Sequence, residues 1–238
     1  MEDSRSRTIQ AILFDLDGTL IDTSDDFVHI LNAMLIEDNR PPIPADIIRS
    51  HVSNGSPGMI TLGYGLQPSD GGFERQKQRF LTLYKNHTRL ADRDSSAKLF
   101  DDMEDVLAAI EASDIPWGIV TNKPRHLAEP MLAQLKLTER CSVLVCPDDV
   151  SKAKPEPDAL WLAADILNCT PEACLYAGDH ERDIQAGHAA GMITIAALYG
   201  FIPRDENPEQ WRADYTISSP LELLEWLDEC DWLLPDHP

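Results

Sequence analysis

The segment Phe14-Asp15-Leu16-Asp17-Gly18-Thr19 places two carboxylates at i and i+2 directly after an apolar run. Where a strand gives way to a loop, both acids can turn into one crevice. Gly18 permits a tight turn and close approach of the backbone to a phosphate. One carboxylate can then attack phosphorus while the other moves protons. Taken alone, the six residues also fit a plain turn rich in Asp and Gly.

Three more segments carry groups suited to the same reaction. Thr121-Asn122-Lys123-Pro124 follows the apolar run Trp117 to Val120. A hydroxyl followed by free amides at a helix start cradles an anion. A simple helix cap with Pro124 in the first turn is the plainer account of this segment by itself. In Ser151-Lys152-Ala153-Lys154-Pro155-Glu156-Pro157-Asp158 the two prolines after Lys154 stiffen the chain, so that lysine can be aimed rather than solvated. Gly178-Asp179-His180-Glu181-Arg182-Asp183 sets two acids four residues apart near a helix start. Such a pair can bind a hard cation such as Mg²⁺, or serve only the helix dipole and cap.

These segments need elements to position them. Short apolar runs at Ile9 to Phe14, Trp117 to Val120, Val143 to Cys146, Leu175 to Ala177 and Ile193 to Ala197 read as strands. Met103 to Glu111, Leu127 to Leu135 and Ala159 to Leu167 read as helices between them. Alternation of this kind predicts an α/β fold with a parallel sheet covered on both faces. Open parallel sheets bind ligands beyond the carboxyl ends of their strands, where all four segments fall. From about Ser24 to Ala91 only helical periodicity occurs, through Leu31, Met34 and Leu35 and then Phe73, Phe80, Leu83 and Tyr84. This reads as a small helical domain inserted after the first strand, with Asp92 to Ser96 as its return linker. Pro220 to Trp232 reads as a closing helix packed through Leu223, Leu224, Trp226 and Leu227.

Composition narrows the partners. The 238 residues suffice for one sizeable core, with or without a smaller insert. Acids outnumber bases 41 to 20, for a formal charge of −21. That field repels nucleic acid and anionic membranes, so neither is an expected partner. An anionic substrate then requires local positive charge at the site. The start, Met1 to Gln10, lacks an apolar secretion core, and the five cysteines are odd in number. Reduced thiols in a cytoplasmic protein are expected.

Jointly, Asp15-x-Asp17-Gly-Thr, Thr121, Lys154 before Pro-x-Pro and Gly178-Asp179-x-x-x-Asp183 resemble the four motifs of the haloacid dehalogenase (HAD) superfamily of phosphatases. The resemblance covers nearly the whole chain. It implies a Rossmann-like HAD core with a parallel sheet and an inserted helical, C1-type cap. The implied boundaries are 1–22 and 93–238 for the core and 23–92 for the cap. It implies a Mg²⁺-dependent phosphomonoesterase acting on a small-molecule phosphate ester. The implied catalytic residues are Asp15 as nucleophile, Asp17 as acid and base, Thr121 on the phosphoryl oxygens and Lys154 as counter-charge. The implied metal set is Asp15, the Asp17 backbone carbonyl, Asp179 and Asp183. Substrate contacts are expected from Asn122, Gly18 and Thr19, and from Ser53, Asn54 and Gly55 in the cap loop His51 to Ser56; a plain helix–helix turn is the alternative account of that loop. Two positions depart from the pattern: His180 stands where Ser or Thr is frequent, and Ala153 where Gly is frequent.

The cap type resembles the phosphoglycolate phosphatase group. Val52-Ser53-x-Gly55, Cys146-Pro147-Asp148, Tyr199-Gly200 and Asn207-Pro208-x-x-Trp211-x-Ala213-Asp214 are similar, more narrowly, to the N-acetylmuramic acid 6-phosphate phosphatases of bacterial cell-wall recycling. A phosphosugar mutase would keep the same four motifs. A dehalogenase has no use for Asp17, and a non-catalytic phosphate-binding module has no use for the full set. The sequence carries no signal for oligomeric state.

Overall fold

The computed structural model describes residues 9–89 and 96–229. The chain opens with β1 (Ala11–Phe14) and β2 (Ile21–Asp22), then α1 (Ser24–Glu37), α2 (Ala45–Arg49), α3 (Gly55–Tyr64) and α4 (Phe73–Arg89). It continues through β3 (Lys98–Leu99), α5 (Met103–Ala112), β4 (Trp117–Val120), α6 (Arg125–Gln134), β5 (Val143–Val145) and α7 (Asp158–Ile166). It closes with β6 (Cys174–Gly178), α8 (Glu181–Ala190), β7 (Ile193–Ala197), β8 (Tyr215–Ile217) and α9 (Glu222–Glu229).

Six strands form one sheet in the order β5-β4-β1-β6-β7-β8, and every pair is parallel. The central strands are apolar throughout because both faces are covered. Ile12 and Phe14 of β1 join the core on one face, and Ala11 and Leu13 join the core on the other. Leu175 and Ala177 of β6 follow the first face, Cys174 and Tyr176 the second. This is the two-residue period of a strand read out as two separate cores. It is the α/β fold with a parallel sheet and helical insert that the motif pattern predicts.

The insert is built from α1 to α4, around Phe27, Phe80 and Tyr84. Their ring centroids lie 5.4 Å (Phe27–Phe80), 5.2 Å (Phe27–Tyr84) and 6.3 Å (Phe80–Tyr84) apart. Leu31, Met34 and Leu35 are buried as expected. Its entry and exit are joined by an antiparallel ribbon, β2 with β3. The sequence reading missed this ribbon, because two residues per strand present no period. Ser96, on the exit, donates from its N–H and Oγ to Asp26 Oδ1 of α1 at 3.0 and 2.6 Å. The rest of the expected linker, and the tail beyond Glu229 with Cys230, lie outside the described residues.

The strand runs at Trp117 to Val120 and Ile193 to Ala197 have their expected bounds. The first strand starts at Ala11 rather than Ile9, the third ends at Val145 rather than Cys146, and the fourth extends to Cys174 and Gly178. Strand β8 was also missed: Tyr215 and Thr216 are exposed and only Ile217 is buried, so no apolar run marks this edge strand.

Candidate active site

Strand β1 delivers Asp15 to the top of the sheet, between β4 and β6. Asp15 is buried, and the Lys154 Nζ lies 2.9 Å from its Oδ1. The two form an ion pair, and among the described residues this enclosed Oδ1 has no hydrogen-bond donor. Lys154 itself is fully enclosed, with its Nζ 2.7 Å from Asp183 Oδ1 and donating to Tyr176 Oη and to Val120 O at 2.6 and 2.9 Å. Its main chain is clamped by Asn122, whose Nδ2 donates to Lys154 O at 2.9 Å and whose Oδ1 accepts from Lys154 N at 3.1 Å. Asn122 thus uses its side chain to aim the lysine, and the residue also lines the cavity.

Asp179, Asp183 and Asp15 converge, each offering a carboxylate oxygen within 4.8 Å of the others. Asp179 precedes α8 rather than lying on it, while Asp183 is in the helix's first turn. Asp183 Oδ2 accepts from His180 N at 3.1 Å, closing a capping box. The capping account of this acid holds, and its other oxygen, Oδ1, lies 2.7 Å from the Lys154 ammonium. Asp179 Oδ2 accepts from Ser53 Oγ at 2.6 Å and from Phe201 N at 2.8 Å. Burial, then the neighbouring carboxylates of Asp15 and Asp183, push the Asp179 carboxyl up to about 7. Three converging buried acids, only two of them on an ammonium and one with an acceptor left over, are a donor set suited to a hard divalent cation.

Asp17 is turned away from this cluster. Its carboxylate receives Lys123 Nζ at 2.9 and 3.2 Å and Thr23 Oγ1 at 2.8 Å. Lys123 is buried and also reaches Tyr84 Oη of the insert, at 3.0 Å. Burial works to lower the Lys123 pKa, but the Asp17 carboxylate and Tyr84 outweigh it and hold the ammonium above the ordinary lysine range. The sequence reading passed over Lys123. The signal it used for Lys154, a lysine directly before proline, was present here too in Lys123-Pro124.

Gly18 and Thr19 do not line the cavity in front of these acids. The Gly18 N–H is donated to Ile21 O at 3.0 Å, and its φ is +95°. A Cβ there would lie 2.1 Å from Asp179 Oδ2, so glycine is what lets the two loops meet. Thr19 Oγ1 points to Asp179 Oδ1 at 3.4 Å. Gly18 and Thr19 are thus placed around Asp179 rather than on the cavity wall.

The cavity, about 450 Å³, is lined by Asp15, Asp17, Thr121 and Asn122 on the core side. On the insert side it is lined by Val52 to Pro57 and by Phe27, Phe80, Leu81 and Tyr84. The expected loop residues Ser53, Asn54 and Gly55 are therefore at the cavity, although Ser53 to Asn54 belong to a short 3₁₀ turn rather than an open loop. Thr121 Oγ1 accepts from Lys123 N at 3.1 Å. His180 is neutral, because burial and Arg182 lower its pKa to about 4. Its Nδ1 accepts from Arg182 N, so its Nε2–H donates to Asn54 Oδ1, at 3.1 Å. The Arg182 Nη2 donates to Ser53 O. The insert is thus seated on the core at the start of α8. Among the described residues, no helix is long and apolar enough to cross a membrane.

The sequence model of the family described as "Haloacid dehalogenase-like hydrolase" matches residues 12–197. A Pseudomonas putida protein named N-acetylmuramic acid 6-phosphate phosphatase is 42% identical over 220 residues, which cover 92% of this chain and 96% of the relative. A Xanthomonas campestris protein named phosphoglycolate phosphatase is 40% identical over 216 residues, covering 91% and 95%. A HAD family hydrolase from Deinococcus radiodurans, solved with bound phosphate and sodium, shares the fold at a TM-score of 0.72 with 23% identity, covering 98% of this chain and 100% of that one. With its motifs gathered at the carboxyl ends of β1, β4 and β6 beneath a helical cap, the chain belongs to the haloacid dehalogenase-like hydrolases and is a phosphatase.

Proposed function

We propose that the protein hydrolyses N-acetylmuramic acid 6-phosphate through an aspartyl-phosphate on Asp15, with Mg²⁺ as cofactor. The observation that carries the substrate is the cavity. Its volume of about 450 Å³ and its apolar cap wall suit a bulky amino-sugar leaving group. Phosphoglycolate, with two carbons, would leave most of it empty. The Pseudomonas relative's name supports the same reading. The second reading is phosphoglycolate, favoured by the Xanthomonas relative.

In this reading an Asp15 carboxylate oxygen attacks phosphorus and the bond from phosphorus to the sugar oxygen breaks. Asp17 gives its proton to that oxygen. The Lys123 ammonium, 2.9 Å away, stabilises the carboxylate that results. Asp17 next takes a proton from water, whose oxygen attacks the aspartyl-phosphate, releasing inorganic phosphate and restoring Asp15. Thr121 orients the phosphoryl oxygens, and Lys154 neutralises charge beside Asp15. The metal would be held by Asp15, Asp179 and Asp183 with the Asp17 carbonyl, and would supply charge neutralisation between those acids and the phosphate dianion. The mutase alternative needs the aspartyl-phosphate shielded from water.

The proposed boundaries are 1–22 and 93–238 for the core and 23–92 for the cap. A role in cell-wall recycling in the cytoplasm belongs to the same proposal. The free thiols of Cys141, Cys146, Cys169 and Cys174 support the location. The test is kcat/KM across N-acetylmuramic acid 6-phosphate, phosphoglycolate and simple sugar phosphates, with phosphate release and isomer formation both measured. Highest kcat/KM on the muramic ester, with phosphate released, is expected. A preference for phosphoglycolate, or accumulation of an isomer, overturns the reading.

A further inference from the structure

Among the described residues, three cations line the cavity: Lys77, Lys123 and Arg182. Two of them are already matched to acids. Lys123 sits on Asp17 at 2.9 Å, and Lys77 Nζ lies 2.7 Å from Glu74 Oε2 on its own helix. Arg182 differs. Its side-chain hydrogen bond goes to a neutral acceptor, the Ser53 carbonyl, through Nη2. Its Nε is buried and, among the described residues, has no hydrogen-bond partner. Nε and Nη2 form the side-on fork of a guanidinium, the edge that takes both oxygens of a carboxylate in parallel. Here one tooth of that fork is on the cap turn and the other is empty.

We propose that Arg182 is the residue that recognises a carboxylate on the leaving group of the substrate. A carboxylate arriving from the cavity displaces the Ser53 carbonyl and satisfies Nε and Nη2 together. An unmet charged donor thereby becomes a bidentate ion pair in an enclosed site. The position fits: Arg182 meets the cavity at the turn Ser53 to Pro57, the wall contributed by the cap, while the phosphoryl end faces Asp15. The inference rests on the proposed substrate reading, and its chemistry is shared by two sources. N-Acetylmuramic acid carries a carboxylate on its lactyl ether, and glycolate carries one on its two-carbon chain.

The experiment uses two substrate pairs in which one member carries the carboxylate and the other lacks it. One pair is N-acetylmuramic acid 6-phosphate and N-acetylglucosamine 6-phosphate; the other is phosphoglycolate and 2-hydroxyethyl phosphate. Wild type is expected to favour the carboxylate-bearing member of the pair it uses. Arg182→Gln should lower kcat/KM for that member about 10–100-fold, mostly through KM, and should lower it for the carboxylate-free member by a clearly smaller factor, the share of the lost contact to Ser53. Arg182→Lys keeps the charge without the fork and should fall nearly as far. Thermal melts of both variants establish that they fold. Equal losses on both members would assign Arg182 to the phosphoryl group or to cap seating and overturn the proposal, as would full retention of the preference in folded variants. A wild type without any carboxylate preference would instead overturn the substrate reading on which the proposal rests.

Discussion

Asp179→Asn should stabilise the metal-free protein at alkaline pH and abolish its stabilisation by Mg²⁺. The Asp179 carboxyl is pushed from 3.8 up to about 7, first by burial and then by Asp15 and Asp183. An acid whose pKa is higher in the folded state binds more protons there than in the unfolded chain. Stability therefore falls as pH rises through the window from 3.8 to about 7. A gap of about three units corresponds to about 4 kcal/mol of native-state destabilisation at high pH. Asparagine removes that charge and keeps an oxygen for Ser53 and Phe201. Its new amide donor costs about 1–3 kcal/mol if unmet, leaving a net gain of about 2 kcal/mol. For a chain of this size that raises Tm by about 4–8 °C. Thermal melts in chelator at pH 8.5 read this gain, and melts at pH 5 should show little of it. Adding Mg²⁺ at pH 8.5 should raise the Tm of the wild type and not that of the variant. A variant less stable than wild type in chelator at pH 8.5, or an equal Mg²⁺ shift in both, refutes the reasoning.

Other substitutions separate the remaining roles. Asp15→Asn should abolish Mg²⁺-dependent release of phosphate from an aryl phosphate; full activity would remove it as nucleophile. Asp17→Asn should retain the thermal shift with Mg²⁺ but lose turnover by about 10²–10⁴-fold, measured by phosphate release. Lys154→Met leaves Asp15 and Asp183 buried without their ammonium, so urea melts should show a loss of about 3–5 kcal/mol. A loss below about 1 kcal/mol would mean that the pair is not uncompensated. Gly18→Ala would set a Cβ 2.1 Å from Asp179 Oδ2, at a φ of +95°. The displaced carboxylate should weaken Mg²⁺ binding and cut turnover by about 10²-fold, since shifts of about 1 Å carry such costs.

The reaction class was legible in the sequence. The chemistry lies in short motifs at strand ends, and apolar runs mark buried parallel strands directly. Asp15, Thr121, Lys154, Asp179 and Asp183 could therefore be chosen, and the helical insert seen as an interruption of the alternation. Neither the β2–β3 ribbon nor β8 carries enough buried residues to leave a pattern. Tertiary structure decided which side chain faces which. Asn122 clamps Lys154, Gly18 and Thr19 shape the space around Asp179, and Lys123 reaches both Asp17 and the cap's Tyr84, 39 residues away in the chain. Arg182 meets Ser53 across 129 residues. Such contacts depend on how the insert seats on the core, a property of two surfaces meeting rather than of any local spacing. The opening motif names the chemistry because its residues are neighbours in sequence; the cavity in front of it is walled by residues that become neighbours only on folding.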